Sequence, residues 1–171
     1  VKEGDTIDLG GRTLTFLSVP FLHWPDSMYT YIPEMKALFT VDSFGCHYAD
    51  DRVFNDLIDG DFTEAYKYYF DCIMGPFKPF VLKALDKIKP LDIQFIGNGH
   101  GPVLRANIPH YLELYRQWAT PVVVPADERR VAIAYVSAYG YTKQLAGVIA
   151  DALAEGGVKH VELYDLVCLL Y

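Results

Sequence analysis

Cysteine is scarce in this 171-residue chain, limited to Cys46, Cys72 and Cys168. The three lie far apart, form no CxxC pair and make an odd total. That excludes a disulfide framework and a four-cysteine zinc site, and it suits a reducing cytoplasm. Positive charge is also short: 15 Lys and Arg face 22 Asp and Glu, a net charge of −7. A nucleic-acid partner needs a basic face, so that class is set aside. No apolar run reaches the length of a membrane span and no secretory signal occurs in these residues, so no membrane partner is expected. Internal repeats, low-complexity tracts and the double-glycine dinucleotide fingerprint are missing as well. What is there is globular material, 51% apolar and 22% charged, of a length for one domain or pieces of two. Its 13 Tyr, 10 Phe and 2 Trp belong mostly in a core or an interface.

Three corners of the chain share one design. Leu22-His23-Trp24-Pro25-Asp26-Ser27-Met28, Phe39-Thr40-Val41-Asp42-Ser43-Phe44-Gly45 and Gly97-Asn98-Gly99-His100-Gly101-Pro102 each set a His or an Asp just past an apolar run and beside turn formers. A strand end aims a ligand, and a loop leaves room for an ion. Two imidazoles and one carboxylate form a mixed nitrogen and oxygen set suited to zinc, iron or manganese. A His beside an apolar run is also commonly a hydrogen-bonded structural residue, and the residues alone leave both readings open.

Taken in order, Thr6 to Leu9 and Arg12 to Leu17 alternate apolar with polar residues around Gly10-Gly11, which predicts a β-hairpin with a two-residue turn. Ser27 to Tyr31 and Ala37 to Val41 are further strands parted at Pro33, the second delivering Asp42. At Asp61 the period changes. Asp61 and Glu64 suggest a capping box for a helix to Ile73, halted by Met74-Gly75-Pro76. Tyr66, Tyr69, Phe70 and Ile73 share one face of it. A second helix starts near Pro79 and runs to about Ile88, with Val81, Leu82 and Leu85 inward. Asp92 to Ile96 reads as a strand feeding the His100 loop, and Ile108 to Trp118 as a third helix. Aromatic residues at helical spacing are core formers, so Tyr66, Tyr69, Phe70 and Tyr111 are assigned to packing.

Thr120 to Glu128, with two prolines and no helical period, reads as an interdomain linker. Beyond it, Val131 to Val136 is an unbroken apolar run fit for a parallel strand buried on both faces. A helix from Lys143 to Glu155 follows, with Leu145, Val148, Ile149, Ala152 and Leu153 inward, and Gly156-Gly157 stops it. His160 to Tyr164 is the next strand. This is a β-α-β unit opening a doubly wound sheet. Between its first strand and helix lies Ser137-Ala138-Tyr139-Gly140-Tyr141-Thr142. Hydroxyls of Ser137 and Thr142, the N–H groups between them and the helix N-terminus form a cradle for a phosphate, with Gly140 allowing close approach. A mononucleotide such as FMN suits it better than NAD. An ordinary capped strand-to-helix turn has the same spacing, and on spacing alone the two stand level.

Together these stretches resemble the flavodiiron proteins, which join a metallo-β-lactamase-like domain carrying two irons to a flavodoxin-like domain carrying FMN. That family's ligand pattern is His-x-Glu-x-Asp, a distant His, an Asp after 18 intervening residues and a last His some 60 residues on. Here 18 residues separate His23 from Asp42, and 57 separate Asp42 from His100. The Leu-His-Trp-Pro-Asp-Ser-Met and Gly-His-Gly-Pro wording is close to the family's, and Ser137 to Thr142 is similar to a flavodoxin phosphate loop. The resemblance covers essentially the whole chain. It departs where no His-x-Glu-x-Asp occurs within residues 1–171 and where the flavodoxin-like part stops early.

The resemblance implies an α/β architecture: part of a metallo-β-lactamase-like αββα sandwich over residues 1–122, a linker at 123–129, and the first β-α-β unit of a flavodoxin-like doubly wound sheet over 130–171. It implies that His23 and His100 each hold one of two non-haem irons and that Asp42 bridges both. Ser137, Ala138, Tyr139, Gly140, Tyr141 and Thr142 would hold the FMN phosphate. His47 does not match the ligand pattern and is expected to support the site or meet solvent. Asp26 is expected to cap its turn or orient a ligand, Cys46 to be structural, and His110 and His160 to lie on the surface. The implied activity is reduction of O2 to water or of NO to nitrous oxide with electrons from FMN. Rubredoxin, a flavoprotein reductase or a reduced deazaflavin would supply those electrons, and a cytoplasmic head-to-tail homodimer or dimer of dimers would carry out the reaction. The rival is a dinuclear zinc hydrolase of the β-lactamase-like superfamily, against which the flavin-type loop speaks. The chain is read as an internal portion of a larger protein, expected to leave apolar surfaces uncovered when alone.

Overall fold

Around Gly10 and Gly11, β1 (Thr6–Asp8) turns back antiparallel on β2 (Thr13–Ser18), setting Ile7 opposite Leu14. Both glycines have positive φ, 78° and 106°, as a two-residue primed turn requires. The computed structural model describes residues 1–125 and 128–166. β3 (Met28–Ile32) pairs antiparallel with β2, and β4 (Ala37–Val41) with β3, across a short 3-10 turn at Pro33–Met35. β5 (Phe95–Asn98) adds in parallel to β4, giving one sheet in the order β1-β2-β3-β4-β5. This last strand starts three residues later than the sequence suggests. Gln94 already bonds to Lys36 O, but the regular ladder begins at Phe95 and carries the strand to the threshold of His100.

The helices differ from expectation in how they join. α1 (Thr63–Tyr69) passes into a π-helical turn at Phe70–Met74, then a 3-10 turn at Gly75–Phe77, and then α2 (Lys78–Ile88). Met74-Gly75-Pro76 therefore bends the helical path and does not end it. In a continuous α-helix the Pro76 ring would meet the carbonyl four residues back and lack its own N–H; the wider and tighter turns on either side absorb both defects. Nor is Asp61 the N-cap. Phe62 holds that position, and Asp61 Oδ1 reaches past it to accept the Thr63 amide at 2.9 Å. α3 spans Ile108–Ala119.

All three helices pack on one face of the sheet. Tyr29, Tyr31, Leu38 and Ile96 meet Tyr66, Phe70, Met74, Val81, Leu85, Ile88 and Tyr115 in a single core. Tyr66 sits among Tyr111, Tyr115 and Trp118 with ring centroids 5.1–5.5 Å apart, the geometry of favourable aromatic packing. The packing role expected of Tyr66, Tyr69, Phe70 and Tyr111 holds. Alternation along β4 puts Leu38 and Thr40 into this core, so Phe39 and Val41 emerge on the opposite, open face together with Ile7 of β1.

The chain divides into two compact units, the first ending at Pro121 and the second beginning at Val122. In the second, β6 (Arg130–Tyr135) and β7 (His160–Asp165) run parallel, with Val131 opposite Val161 and Ile133 opposite Leu163. α4 (Tyr141–Glu155) connects them and ends at Gly156-Gly157 as expected, with Gly157 at φ 91°. The burial expected here is not found. β6 alternates between half-buried and exposed residues and is covered on one face only. On α4 the buried residue is Ala146, with Leu153 half-buried, whereas Leu145, Val148, Ile149 and Ala152 are exposed. Two strands offer one helix a narrow surface, and the stripe through Ala146 and Leu153 fills it.

Candidate metal centre and phosphate loop

Asp42 begins where β4 is forced off its line. Val41 has φ 52°, a left-handed conformation that is a true outlier for a β-branched residue. The pairing register with β5 shifts between Phe39 and Val41 at the same point. The turn beyond is held internally, with Thr40 Oγ1 donating to Ser43 O at 2.7 Å. It is also held from outside, as the Phe44 amide donates to the buried Tyr115 hydroxyl at 2.9 Å. Phe44 is left-handed too, at φ 64°.

His23 stands on a tight loop after Leu22, which is anchored in the core. Phe21 has φ 65° and its amide donates to Trp24 O at 2.8 Å. Ser27 caps this loop, its Oγ accepting the Trp24 amide at 3.0 Å. Asp26, the residue expected to cap, is exposed beside it.

His100 follows β5 on a glycine-rich loop fastened to the Asp42 loop at three points. The Asn98 amide group donates to Phe44 O at 2.7 Å and to Pro102 O at 3.0 Å. The Gly99 amide donates to Val41 O, and the Cys46 amide to His100 O at 3.1 Å. Only glycine permits such an approach: a Cβ on Gly101, itself at φ 75°, would lie 2.5 Å from Cys46 O and 2.7 Å from its sulfur. Cys46 is buried, and burial pushes its thiol up to about 11, so it stays a neutral packing group.

The three loops bring His23, Asp42 and His100 together. His100 Nε2 is 3.1 Å from Asp42 Oδ1, and His23 Nε2 is 3.5 Å from Asp42 Oδ2. Each carboxylate oxygen thus addresses a different imidazole. The Asp42 side chain is only 17% exposed, and the two rings are more open. Among the described residues no three His, Cys, Asp or Glu side chains surround one point; the arrangement is two imidazole–carboxylate pairs sharing Asp42. Two imidazole nitrogens and a carboxylate are donors that could hold a metal ion.

Two neighbours border the site: Tyr69, assigned by sequence to packing alone, and His47, expected to support the site or meet solvent. Tyr69 is buried, with its ring 5.9 Å from that of His100. Burial first, and then the Asp42 charge, push its phenol up to about 12. His47 is exposed, edge-on to Tyr69 at 4.9 Å and 5.9 Å from His100. Asn98 escapes notice in the sequence. Its place between Gly97 and Gly99 marks a turn, but nothing local shows where its side chain reaches. His110 and His160 are exposed.

In the second unit, Ser137 Oγ accepts the amide of Lys143 at 3.2 Å and so caps the first turn of α4. Gly140 precedes the helix at φ 84°, and Gln144 N bonds to Gly140 O at 3.0 Å. The amides of Tyr141 and Thr142 open the helix ahead of these bonds. Ala138, Tyr139, Tyr141 and Thr142 are exposed, and Ser137 and Gly140 partly so. The Ser137 hydroxyl still has its proton to donate, and a 15-residue helix places its positive end here. The chemistry of the loop fits a phosphate.

Residues 1–101 match the family model described as ODP family beta lactamase. Type A flavoprotein fprA of Rhodobacter capsulatus is 46% identical across 97% of this chain, and diflavin flavoprotein A 1 of a Synechocystis strain is 44% identical across 97%. The flavodiiron protein of Giardia intestinalis superimposes over 98% of the chain with a TM-score of 0.68 at 32% identity. This chain belongs to the flavodiiron family. It spans 38% of the R. capsulatus relative, 29% of the Synechocystis one and 40% of the Giardia structure. A rubredoxin oxygen:oxidoreductase from Desulfovibrio gigas is a further neighbour, with a TM-score of 0.66 at 30% identity, covering 95% of this chain and 41% of that one. The first unit is part of a metallo-β-lactamase-like domain, one sheet with the helices over one of its faces. Among the described residues no helix is long and apolar enough to cross a membrane.

Proposed function

We propose that the protein carrying this chain is a flavodiiron oxidoreductase that reduces O2 to water or NO to nitrous oxide with electrons from FMN. The observation that supports it most is the sharing of Asp42, with one oxygen toward His23 and the other toward His100. In this reading His23 and His100 would each hold one of the two irons, and Asp42 would be the ligand shared between them. A bound diiron pair supplies the redox centre at which a diatomic gas is reduced. The chain's own residues would position it: the stapled loops hold Asp42 against His100, the His23 loop is held by its own turn bonds, and Tyr69 keeps its phenolic proton at neutral pH. We assign residues 1–122 to the diiron domain, 123–129 to a linker and 130–171 to the start of the FMN domain. There Ser137, Ala138, Tyr139, Gly140, Tyr141 and Thr142 take the phosphate. Rubredoxin, a flavoprotein reductase or a reduced deazaflavin would reduce the flavin, in keeping with the name of the D. gigas neighbour. We place the enzyme in the cytoplasm as a head-to-tail homodimer or dimer of dimers, so that the flavin of one subunit serves the metal pair of the other.

A dinuclear zinc hydrolase is not favoured, since the relatives are named flavoproteins and flavodiiron proteins. Metal and flavin analysis of the whole protein tests the reading. Two irons and one FMN per chain are expected, with iron lost in Asp42→Ala and flavin kept. Two zincs without flavin, or an Asp42→Ala protein that retains both irons, would overturn it.

A further inference from the structure

The two loops bearing Asp42 and His100 come from strands far apart in sequence, and one side chain bridges them. Asn98 leaves the end of β5, and its amide nitrogen is 2.7 Å from Phe44 O, two residues beyond Asp42, and 3.0 Å from Pro102 O, two residues beyond His100. One NH2 group has two protons, and here each is spent on a different loop. Asn98 Oδ1 is buried without a hydrogen-bond partner among the described residues. Leaving a buried acceptor unpaired is unfavourable, so the placement is governed by what the nitrogen does. The backbone around it is already under constraint, with Val41 and Phe44 left-handed and Gly99 against Val41 O.

We propose that Asn98 is a positioning residue of the metal centre, holding the Asp42 and His100 loops at the separation a shared carboxylate needs. The inference rests on the diiron reading above. Asn98 touches neither imidazole nor carboxylate; it acts through the two carbonyls. Removing the clamp would leave two backbone bonds between the loops and so loosen, without releasing, His100 relative to Asp42, while leaving His23, which stands on another loop, in place. The iron on the His100 side should therefore loosen first.

Asn98→Asp tests this in the whole protein. It keeps the shape, removes both donors and sets a carboxylate against two carbonyls. With the reduced protein held below its melting temperature, a ferrous chelator should draw off one of two irons faster than from the unaltered protein, by about 10–100-fold if the affinity typically lost with ligand-orienting groups is expressed in the release rate. The second iron should leave at close to the ordinary rate, and FMN content should not change. The Mössbauer spectrum should show two unequal iron sites before release. Asn98→Ser, whose hydroxyl has a single proton and so serves one carbonyl, provides a milder arm if the Asp variant does not fold, with a smaller acceleration of the same phase. A folded Asp or Ser variant that releases both irons at the unaltered rate overturns the assignment, as does equal acceleration of both irons. Unaltered protein that binds no iron would refute the diiron reading, and this inference with it.

Discussion

Val41 offers the cleanest test of how the site is held. Its φ of 52° lies in a region that costs a β-branched residue on the order of 1–3 kcal/mol. Glycine takes that conformation freely, but in an extended segment it gives up about 0.5–1 kcal/mol to the entropy of its unfolded state. Val41→Gly and Val41→Ala both remove the two γ-methyl groups, so that loss of packing cancels between them. They differ in whether a Cβ remains on a left-handed residue. The Gly variant should therefore be more stable than the Ala variant by about 0.5–2 kcal/mol, the strain relieved less the entropy lost. At an ordinary strand position the order would be reversed. Urea denaturation of the two whole-protein variants measures the difference, with equal m-values confirming that the same surface unfolds. Both must be compared at equal metal content, because bound ions stabilise the folded state. If Val41→Ala is as stable as Val41→Gly, the left-handed turn is not a constraint in the native protein and the account of Asp42's aim fails.

Tyr115→Phe leaves the buried Phe44 amide without its acceptor and should cost about 1–3 kcal/mol in the same denaturation experiment; a change below about 0.5 kcal/mol would mean water takes the hydroxyl's place. Replacing Ser137 and Thr142 together by Ala should weaken FMN retention by roughly 1–3 kcal/mol for each hydroxyl withdrawn from the phosphate, with iron content unaltered; flavin affinity equal to the parent's would reduce the loop to a turn. Asp50, bonded to Arg52, has its carboxyl lowered to about 2 by those hydrogen bonds. Because the folded value is depressed, the stabilisation is present above the ordinary Asp value near 3.9 and disappears as pH falls toward 2. NMR titration of that carboxyl should show a midpoint near 2 that rises toward the ordinary range in Arg52→Gln, where only the bond from the residue-52 backbone amide remains.

Sequence patterns make the first hairpin, the β4 run and the three helices of the first unit legible, because each is a short-range matter of period and turn chemistry. Val131 to Val136 reads correctly as a strand and wrongly as one buried on both faces, since an apolar run states what a strand can bury and not what is there to cover it. Pro76 reads as a full stop because proline forbids a continuous α-helix; the sequence carries no sign that a π turn and a 3-10 turn will share the deformation. That His23, Asp42 and His100 lie near one another is suggested by spacing and resemblance. That one carboxylate divides its oxygens between two imidazoles is a tertiary fact, and it goes with Val41's left-handed turn and with Asn98's bonds to Phe44 O and Pro102 O. Neither feature has a signature in neighbouring residues. A φ angle is not written in the one-letter code, and an amide's partners lie 54 residues away in one case and 4 in the other.

The open apolar faces bear on what residues 1–171 can do alone. Ile7, Phe39 and Val41 emerge from the uncovered side of the first sheet, and Val136, Leu145, Val148 and Ile149 from the second unit. Each is about 40–65% exposed, so covering one would contribute roughly 1 kcal/mol, given about 1.5–3 kcal/mol for a full burial. Together they forgo on the order of 5–10 kcal/mol, which is comparable to the whole stability of a typical domain, about 5–15 kcal/mol. Residues 1–171 expressed alone should bind an apolar fluorescent dye and self-associate. Gln at Leu145, Val148 and Ile149 together should diminish both effects, since this stripe of α4 is exposed and contributes little to the packing on β6 and β7. Sedimentation and dye titration decide between the outcomes. A monomer that binds no dye would show that these side chains find cover within the chain itself, and the one-sided packing described for both units would then be wrong.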